Sequence, residues 1–259
     1  MGAPWQPGSG SGHNGGMRIE EHIDQLAAEG PRLADAAQRA GLDAAVPGCP
    51  GWQVRDLVTH VGGVHRWAAS IVGGALAGGD DVMGDRVGAG PADPLLIGWF
   101  RDGHRALVQT LRDAPGDLAC FTFLPAPSPL AFWARRQAHE TAIHRGDAQA
   151  ACRAAGSFDP ALALDGIDEI LTGFAARPRA LAPGTLRIEP AGDAPWLATL
   201  GPRGVTATRP PGEDMPADVT VRGSATDIYL WLWNRPAAVT VTGEAAIADW
   251  WQQIRVRWS

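Results

Sequence analysis

The sequence contains no lysine, so all 22 of its basic residues are arginine. Against 28 acidic residues this leaves a net charge of −6, which gives no general attraction for nucleic-acid phosphates or anionic lipid. We therefore expect neither a nucleic acid nor a membrane surface as a partner. Arginine can still bind a small anion locally, because a guanidinium group grips a carboxylate in a bidentate way. The exclusive use of arginine, with abundant alanine, glycine and proline, is typical of a GC-rich genome.

Long apolar runs are also missing, and none reaches the roughly 20 residues that a transmembrane helix needs. The first residues lack the basic region and the apolar core of a signal peptide, which predicts that the chain is not exported. Only three cysteines are present, and they form no C-x-x-C pattern. We therefore expect neither a disulfide framework nor a zinc ribbon, and a reducing cytoplasm fits best.

Residues 17–156 have the pattern of a helical bundle, preceded by a Gly-, Pro- and Ser-rich stretch, residues 1–16, that predicts a flexible tail. Apolar residues spaced three and four apart predict helices over about 19–40, 52–76, 95–112 and 130–154. The pair Gly30–Pro31 marks a point at which the first helix is expected to break. Helices of this length joined by mixed loops favour a four-helix bundle.

Residues 157–259 have a different character. One more helix is predicted over about 159–175, followed by short β-rich runs. These runs lie at about 185–190, 196–200, 205–208, 218–221 and 239–242, with helices at about 224–234 and 245–256. Strands and helices segregated in this way predict a separate, smaller α+β domain. The fold class expected for the chain is therefore α+β, a helical bundle followed by a small α+β domain.

The fourth predicted helix carries a carboxylate and an imidazole on one face. Glu140 and His144 are four residues apart, so their side chains emerge from neighbouring turns beside the apolar Trp133. Placing both groups on a core face costs free energy unless they are paired or metal-bound. His60, at the edge of the apolar stripe of the second helix, can supply a third ligand to a zinc-type site. An alternative stays open, in which Glu140 and His144 share a hydrogen bond at the helix surface and His60 is a core histidine.

Two stretches of the sequence resemble the hallmarks of the mycothiol-dependent maleylpyruvate isomerase family. The first is VPGCPGWQVRDLVTHVGG, from Val46 to Gly63, and the second is RRQAHETAIHRGDA, from Arg135 to Ala148. Members of this family have a DinB-like four-helix metal-binding bundle, and the residues after the bundle resemble the family's companion domain, which is similar to sterol-carrier folds. The resemblance covers nearly everything from Met17 onward.

The resemblance implies a cytoplasmic, actinobacterial-type enzyme with a divalent metal, zinc before others, on His60, Glu140 and His144. Three protein ligands leave a position for the thiol of mycothiol, so that no side chain of the protein is the nucleophile. The thiol would act on a small electrophile, by cis/trans isomerisation or by S-transfer. Iron, nickel and cobalt also suit two histidines and one glutamate. The alternatives are a non-catalytic or regulatory metal-binding member of the family and a small-molecule-binding module.

Two carboxylates are candidates for orienting the ligand imidazoles. Asp56 lies four residues before His60, and Asp147 lies three residues after His144. The alternative for both is ordinary charge on a helix surface. Cys49, in the turn before the ligand helix, is expected to be a structural thiol.

Three arginines are candidates for binding a carboxylated substrate or the thiol. Arg136 and Arg145 flank the ligands of the fourth helix, where generic surface arginines are the alternative. Arg235 matches a place where the second domain of the resembled family often carries an arginine that faces the cleft. The resemblance therefore implies that Arg235 anchors an anion.

Overall fold

The computed structural model describes residues 16–74, 90–154, 156–176, 183–210 and 216–253. Most of the predicted tail, the predicted end of the second helix at Leu76 and that of the closing helix at Val256 lie outside these residues. The chain divides into two compact units, residues 1–156 and residues 157–259. Within the described ranges, no helix combines the length and the apolar character that crossing a membrane requires.

Long helices make up the described part of the first unit. They are α1 (Ile19–Ala40), α2 (Val54–Val72), α3 (Asp93–Asp113) and α4 (Pro129–Ala151). The start of α4 is fixed by Ser128, whose Oγ accepts a hydrogen bond from the Ala131 amide at 3.1 Å, with proline at the first helical position. The helix ends three residues earlier than predicted, because the chain turns into the left-handed region at Arg153 (φ 57°).

The predicted break in α1 is wrong, because the helix runs unbroken through Gly30 and Pro31. A Cβ atom on Gly30 would lie 2.2 Å from Nε2 of His104 in α3, so glycine is needed there for the close approach of the two helices. The same Nε2 donates a hydrogen bond to the Leu26 carbonyl at 2.9 Å. Contacts with α3 thus support α1 where Pro31 removes one helical hydrogen bond.

Helix α4 packs against both α1 and α2, and α2 packs against α3. Apolar side chains of α1, α2 and α3, including Leu33, Leu57 and Phe100, form a buried hydrophobic cluster in this unit. By contrast the middle of α4, residues 136–145, is buried on every side and carries charged residues into the interior, among them Arg136 and Glu140. Buried charges must be paired or bound to a metal, so the buried polar side chains of α4 indicate a candidate site on this helix.

The second unit is a small α+β structure. It contains α5 (Pro160–Glu169), which continues as a π-helical turn (Ile170–Phe174), β1 (Gly184–Pro190), β2 (Trp196–Gly201), β3 (Gly204–Thr208), β4 (Val219–Gly223), α6 (Ala225–Leu232), β5 (Thr240–Gly243) and α7 (Ala245–Gln253). The sheet order is β3-β2-β1-β4-β5, with β1 and β4 parallel and the other neighbours antiparallel. Tyr229 of α6 packs its ring against Gly166 of α5. The predicted α+β class is confirmed.

Candidate metal centre

His60 is positioned by the way in which α2 begins. The Gln53 amide caps the helix by donating a hydrogen bond to Oδ2 of Asp56 at 2.8 Å. One turn later, Leu57 and Val61 are fully buried, whereas the His60 side chain, at the edge of this stripe, remains 20% exposed. The imidazole therefore lies at the boundary between the interior of the bundle and its surface.

Glu140 and His144 lie one turn apart in α4, and the Glu140 carboxylate is fully buried. Its Oε1 atom is 3.1 Å from Nε2 of His60 and 3.3 Å from Nε2 of His144. One ligand atom from each of the three residues lies within 4.8 Å of the others. The structure thus brings the three predicted ligands together around one carboxylate oxygen. A surface hydrogen bond between Glu140 and His144, the alternative interpretation, is excluded by the burial of the carboxylate.

The electrostatics of Glu140 and His144 favour the charged form of each side chain in spite of burial. Burial acts to raise the pKa of Glu140, but hydrogen bonds from His144 and His60 and the charges of His144 and Arg136 hold this pKa well below its usual range. Burial acts to lower the pKa of His144, but hydrogen bonds with Asp147, Cys49 and Glu140 raise it well above the ordinary value. A cation bound here would take the place of the imidazole proton, since metal binding to histidine releases a proton.

Arg136 and Arg145 are both buried and paired with carboxylates, and their predicted role in binding substrate or the thiol stays a prediction. Arg136 is fully buried behind the ligand carboxylate, with Nη2 3.3 Å from Oε2 of Glu140. The Arg145 side chain is 2% exposed and forms a buried ion pair with Glu29 of α1. Its Nη1 atom also donates to Oε1 of Gln149 at 2.6 Å.

The two candidate orienting carboxylates have different surroundings. Nδ1 of His144 donates a hydrogen bond to Oδ2 of Asp147 at 3.0 Å, which leaves Nε2 directed to Glu140. Asp147 therefore lies where an orienting residue is expected. Asp56 instead caps the first turn of α2 through the Gln53 amide, so the structure assigns it to the start of the helix and not to the His60 ring.

Sequence reasoning missed the contribution of the loop at residues 46–52. This loop is closed by a hydrogen bond from the Val46 amide to the Trp52 carbonyl at 2.9 Å, and Gly51 supplies the turn with a φ of 87°. The Cys49 thiol donates to Oδ2 of Asp147 at 3.4 Å. Cysteine and tryptophan in the hallmark just before the ligand helix were the available signal, but a loop has no periodicity from which contacts can be read.

The Trp52 indole lies against both histidine ligands. Its ring centroid is 5.1 Å from that of His60 and 6.1 Å from that of His144, and it is stacked on the latter at an interplanar angle of 19°. The two imidazoles are 5.3 Å apart and nearly perpendicular. An aromatic side chain thus covers one side of the cluster and restricts the orientation of both rings.

Arg235 lies in the second unit, shortly after α6. It is half-buried, and its Nη1 atom donates to the Trp233 carbonyl at 2.9 Å. The anion-binding role implied by the resemblance stays a prediction.

Comparison with known families agrees with these positions. The pattern of the mycothiol maleylpyruvate isomerase N-terminal domain matches residues 23–149, and that of the MDMPI C-terminal domain matches residues 161–249. The chain belongs to the mycothiol maleylpyruvate isomerase family. The first family domain falls within the helical unit and contains all three candidate ligands, and the second falls within the α+β unit.

Solved structures of mycothiol-dependent maleylpyruvate isomerases share this fold. One is 17% identical, with a TM-score of 0.62, and the match covers 88% of this chain and 95% of that chain. A second, of a histidine-to-alanine mutant, is 16% identical, with a TM-score of 0.64 and the same coverage. No protein with a curated description matches the chain. The family and the fold are therefore established for this chain.

Proposed function

We propose that this protein is a metal- and mycothiol-dependent enzyme that acts on a small electrophile, by isomerisation or by S-transfer. The observation that carries the proposal is the convergence of His60, Glu140 and His144, whose ligand atoms lie within 4.8 Å of one another. Family membership supports mycothiol as the thiol. The solved relatives are described as maleylpyruvate isomerases, which makes maleylpyruvate the first electrophile to test.

The chemistry of the donor set fits a divalent cation. Two imidazole nitrogens and one carboxylate oxygen are ordinary zinc ligands, and three protein ligands are the number typical of catalytic sites, whereas structural zinc sites use four. A fully buried carboxylate between two histidines also gains a partner when a cation binds. Zinc leads the candidates, and elemental analysis must distinguish it from iron, nickel and cobalt.

Neighbouring side chains hold the three candidate ligands in position. Asp147 accepts the hydrogen bond from Nδ1 of His144, so Nε2 is the nitrogen that is directed to Glu140 and left for a cation. Arg136 engages Oε2 of Glu140 and leaves Oε1 to the two imidazoles. The Trp52 indole lies against both imidazole rings. Together these contacts fix the tautomer, the carboxylate orientation and the ring planes before a ligand arrives.

When bound, a divalent cation would lower the pKa of a thiol at its remaining position and so supply a nucleophilic sulfur at neutral pH. In an isomerase the thiol adds to an activated double bond, the resulting single bond rotates, and the thiol leaves again. In a transferase the sulfur displaces a leaving group and remains attached. The reaction class is thus decided by whether the thiol is consumed.

The first experiment measures metal content. Wild type and the exposed control Gln109→Ala, purified under metal-replete conditions, are expected to hold about one divalent ion per chain. His144→Ala is expected to lose the ion while keeping its helical circular dichroism. A wild-type protein that holds no ion, or a His144→Ala variant with undiminished metal content, would contradict the proposal.

The second experiment measures turnover of maleylpyruvate with and without mycothiol. We expect activity only when metal and thiol are both present, and we expect His60→Ala to abolish it while Gln109→Ala does not. Isomerised product with the thiol returned identifies an isomerase, and stoichiometric thiol consumption with an activated halide identifies a transferase. Bound metal with no turnover of either substrate class would favour a non-catalytic, metal-binding member of the family.

A further inference from the structure

A second set of metal-ligating side chains lies beside the first. Cys49, His144 and Asp147 offer a sulfur, a nitrogen and an oxygen that lie within 4.8 Å of one another. Asp147 is buried, the His144 side chain is 9% exposed and Cys49 is half-buried. The group is therefore largely shielded from solvent, with partial access at Cys49 and His144. Cys49 is in no disulfide, and its thiol donates a hydrogen bond to Asp147.

His144 stands between the two sets. Its Nε2 atom faces Glu140 at 3.3 Å, and its Nδ1 atom faces Asp147 at 3.0 Å. The Cys49 sulfur lies 3.4 Å from the same oxygen, Oδ2 of Asp147, and also hydrogen-bonds with the His144 ring. One imidazole thus presents each of its two nitrogens to a different group of donors.

The separations suit a small cation in both groups. Tetrahedral zinc with ordinary bond lengths places nitrogen and oxygen ligands about 3.4 Å apart and sulfur and oxygen ligands about 3.6 Å apart. The cysteine group has the corresponding separations at 3.0 and 3.4 Å, and the glutamate group has nitrogen–oxygen separations of 3.1 and 3.3 Å. In each group, shifts of a few tenths of an ångström would accommodate the ion.

We propose that Cys49, His144 and Asp147 form a second, thiophilic cation site that competes with the His60–Glu140–His144 site. Thiolate sulfur favours soft or borderline cations such as Zn(II), Cd(II) and Cu(I). On binding, a bond forms between Cys49 Sγ and the cation, and the thiol proton passes to solvent. The proton on Nδ1 of His144 also leaves, and the ring keeps or takes up a proton on Nε2, so that a neutral imidazole binds the cation through Nδ1.

Competition follows from the chemistry of imidazole. A neutral ring carries a lone pair on only one nitrogen at a time, so His144 serves one site or the other. A cation held by Cys49 and Asp147 therefore removes one ligand from the first site. The second site is inhibitory toward the first, and it exists whether or not the proposed catalytic activity does.

The test uses the full chain with His60→Ala, which disables the first site and leaves the second complete. The protein is freed of metal with a chelator and titrated with Co(II). We expect a near-ultraviolet thiolate-to-cobalt charge-transfer band in this variant. Adding Cys49→Ala should abolish the band and raise the Co(II) dissociation constant more than about tenfold. Adding Cys152→Ser, a half-buried cysteine of the same unit, should change neither.

A His60→Ala protein with no such band, or a band that survives Cys49→Ala, would overturn the proposal. A measurement on the wild-type chain covers the case in which the variants fold poorly. Cd(II) should slow alkylation of Cys49 by iodoacetamide, followed by mass spectrometry, and should leave Cys152 unaffected. Equal rates for Cys49 with and without Cd(II) would also overturn it. Because both tests measure binding, their failure is distinct from a failure of the proposed enzymatic function.

Discussion

Arg136 and Glu140 form an ion pair one helical turn apart in which both side chains are fully buried. The guanidinium lies on Oε2, and the two histidine ligands lie on Oε1, so each oxygen of the carboxylate has its own partners. Arg136 therefore orients the Glu140 carboxylate without itself being a candidate metal ligand. One oxygen of Glu140 thus has a structural partner, and the other faces the candidate metal ligands.

Arg136→Met should destabilise the metal-free protein by about 3–5 kcal/mol, because it leaves a buried carboxylate without its guanidinium partner. A bound divalent cation should offset part of this loss by neutralising Glu140. Urea unfolding with and without Co(II) measures both values. Arg105→Met, which removes the exposed pair with Asp102, is the control and should cost less than about 1 kcal/mol. Equal destabilisation with and without metal would show that Arg136 is not coupled to the metal site.

Asp147→Ala should weaken Co(II) binding by about 10- to 100-fold, since His144 loses the acceptor that fixes its tautomer. Competition with a chelator of known affinity gives the dissociation constant. Asp102→Ala, on the exposed face of α3, is the matched control and should leave the constant unchanged. An unaltered affinity in Asp147→Ala would mean that the ring is held by its other contacts alone.

Arg235→Ala should lower kcat/KM for a carboxylated electrophile by about tenfold or more, because a hydrogen bond to a charged group is worth about 1.5–3 kcal/mol. Arg235→Lys should recover only part of the loss, since an ammonium group cannot grip a carboxylate in a bidentate way. Metal content should be the same in both variants. The control is Arg222→Ala, an exposed arginine of β4. A loss confined to kcat, with KM unchanged, would argue against anion binding by Arg235.

His65 should make the metal-free protein less stable in mild acid. It is fully buried, and its Nε2 atom is bonded to Oγ1 of Thr141 at 2.8 Å. Burial, reinforced by the nearby His104, lowers the pKa of His65 well below its ordinary value. Below about pH 6.5 the unfolded chain therefore binds a proton that the folded chain does not, and stability falls as the pH falls.

The measurement is urea unfolding between pH 7 and pH 5. His65→Gln should reduce the slope by up to about 1.4 kcal/mol per pH unit, and part of the slope should remain because burial also lowers the pKa of His104. The metal-site residues change the pH dependence of stability mainly in other pH ranges. His144, with a raised pKa, loses its contribution above about pH 6.5, and Glu140, with a lowered pKa, loses its own below about pH 4.3. An unchanged slope in His65→Gln would contradict the assignment.

The sequence was sufficient to predict the helices and strands, because each has a regular apolar period or a distinct turn at its ends. It also placed His60, Glu140 and His144 on faces that can meet, with the family hallmarks deciding between two interpretations. The order of the strands was not predicted, since the parallel pairing of β1 with β4 depends on contacts far apart in the chain.

The surroundings of the ligands were harder to predict. Arg136 and Arg145 were expected to be near solvent, because arginine is rarely buried without a partner. The partner of Arg145 is Glu29, in another helix and 116 residues away, and no local pattern connects the two. The α4 helix also lacks a polar face that would show which of its residues are exposed, because its middle, residues 136–145, is enclosed on all sides. Burial of these arginines is a property of the assembled bundle and not of the helix itself.

The closed loop at residues 46–52 delivers both Cys49 and Trp52 to the same imidazole, one along the edge of His144 and one across its face. The coordinating residues come from two helices, whereas these two modifiers come from a single short turn. Substitutions within that turn can therefore retune the reactivity of the centre while the helices that supply the ligands stay unchanged. Members of one family with identical ligands can diverge in chemistry by this route.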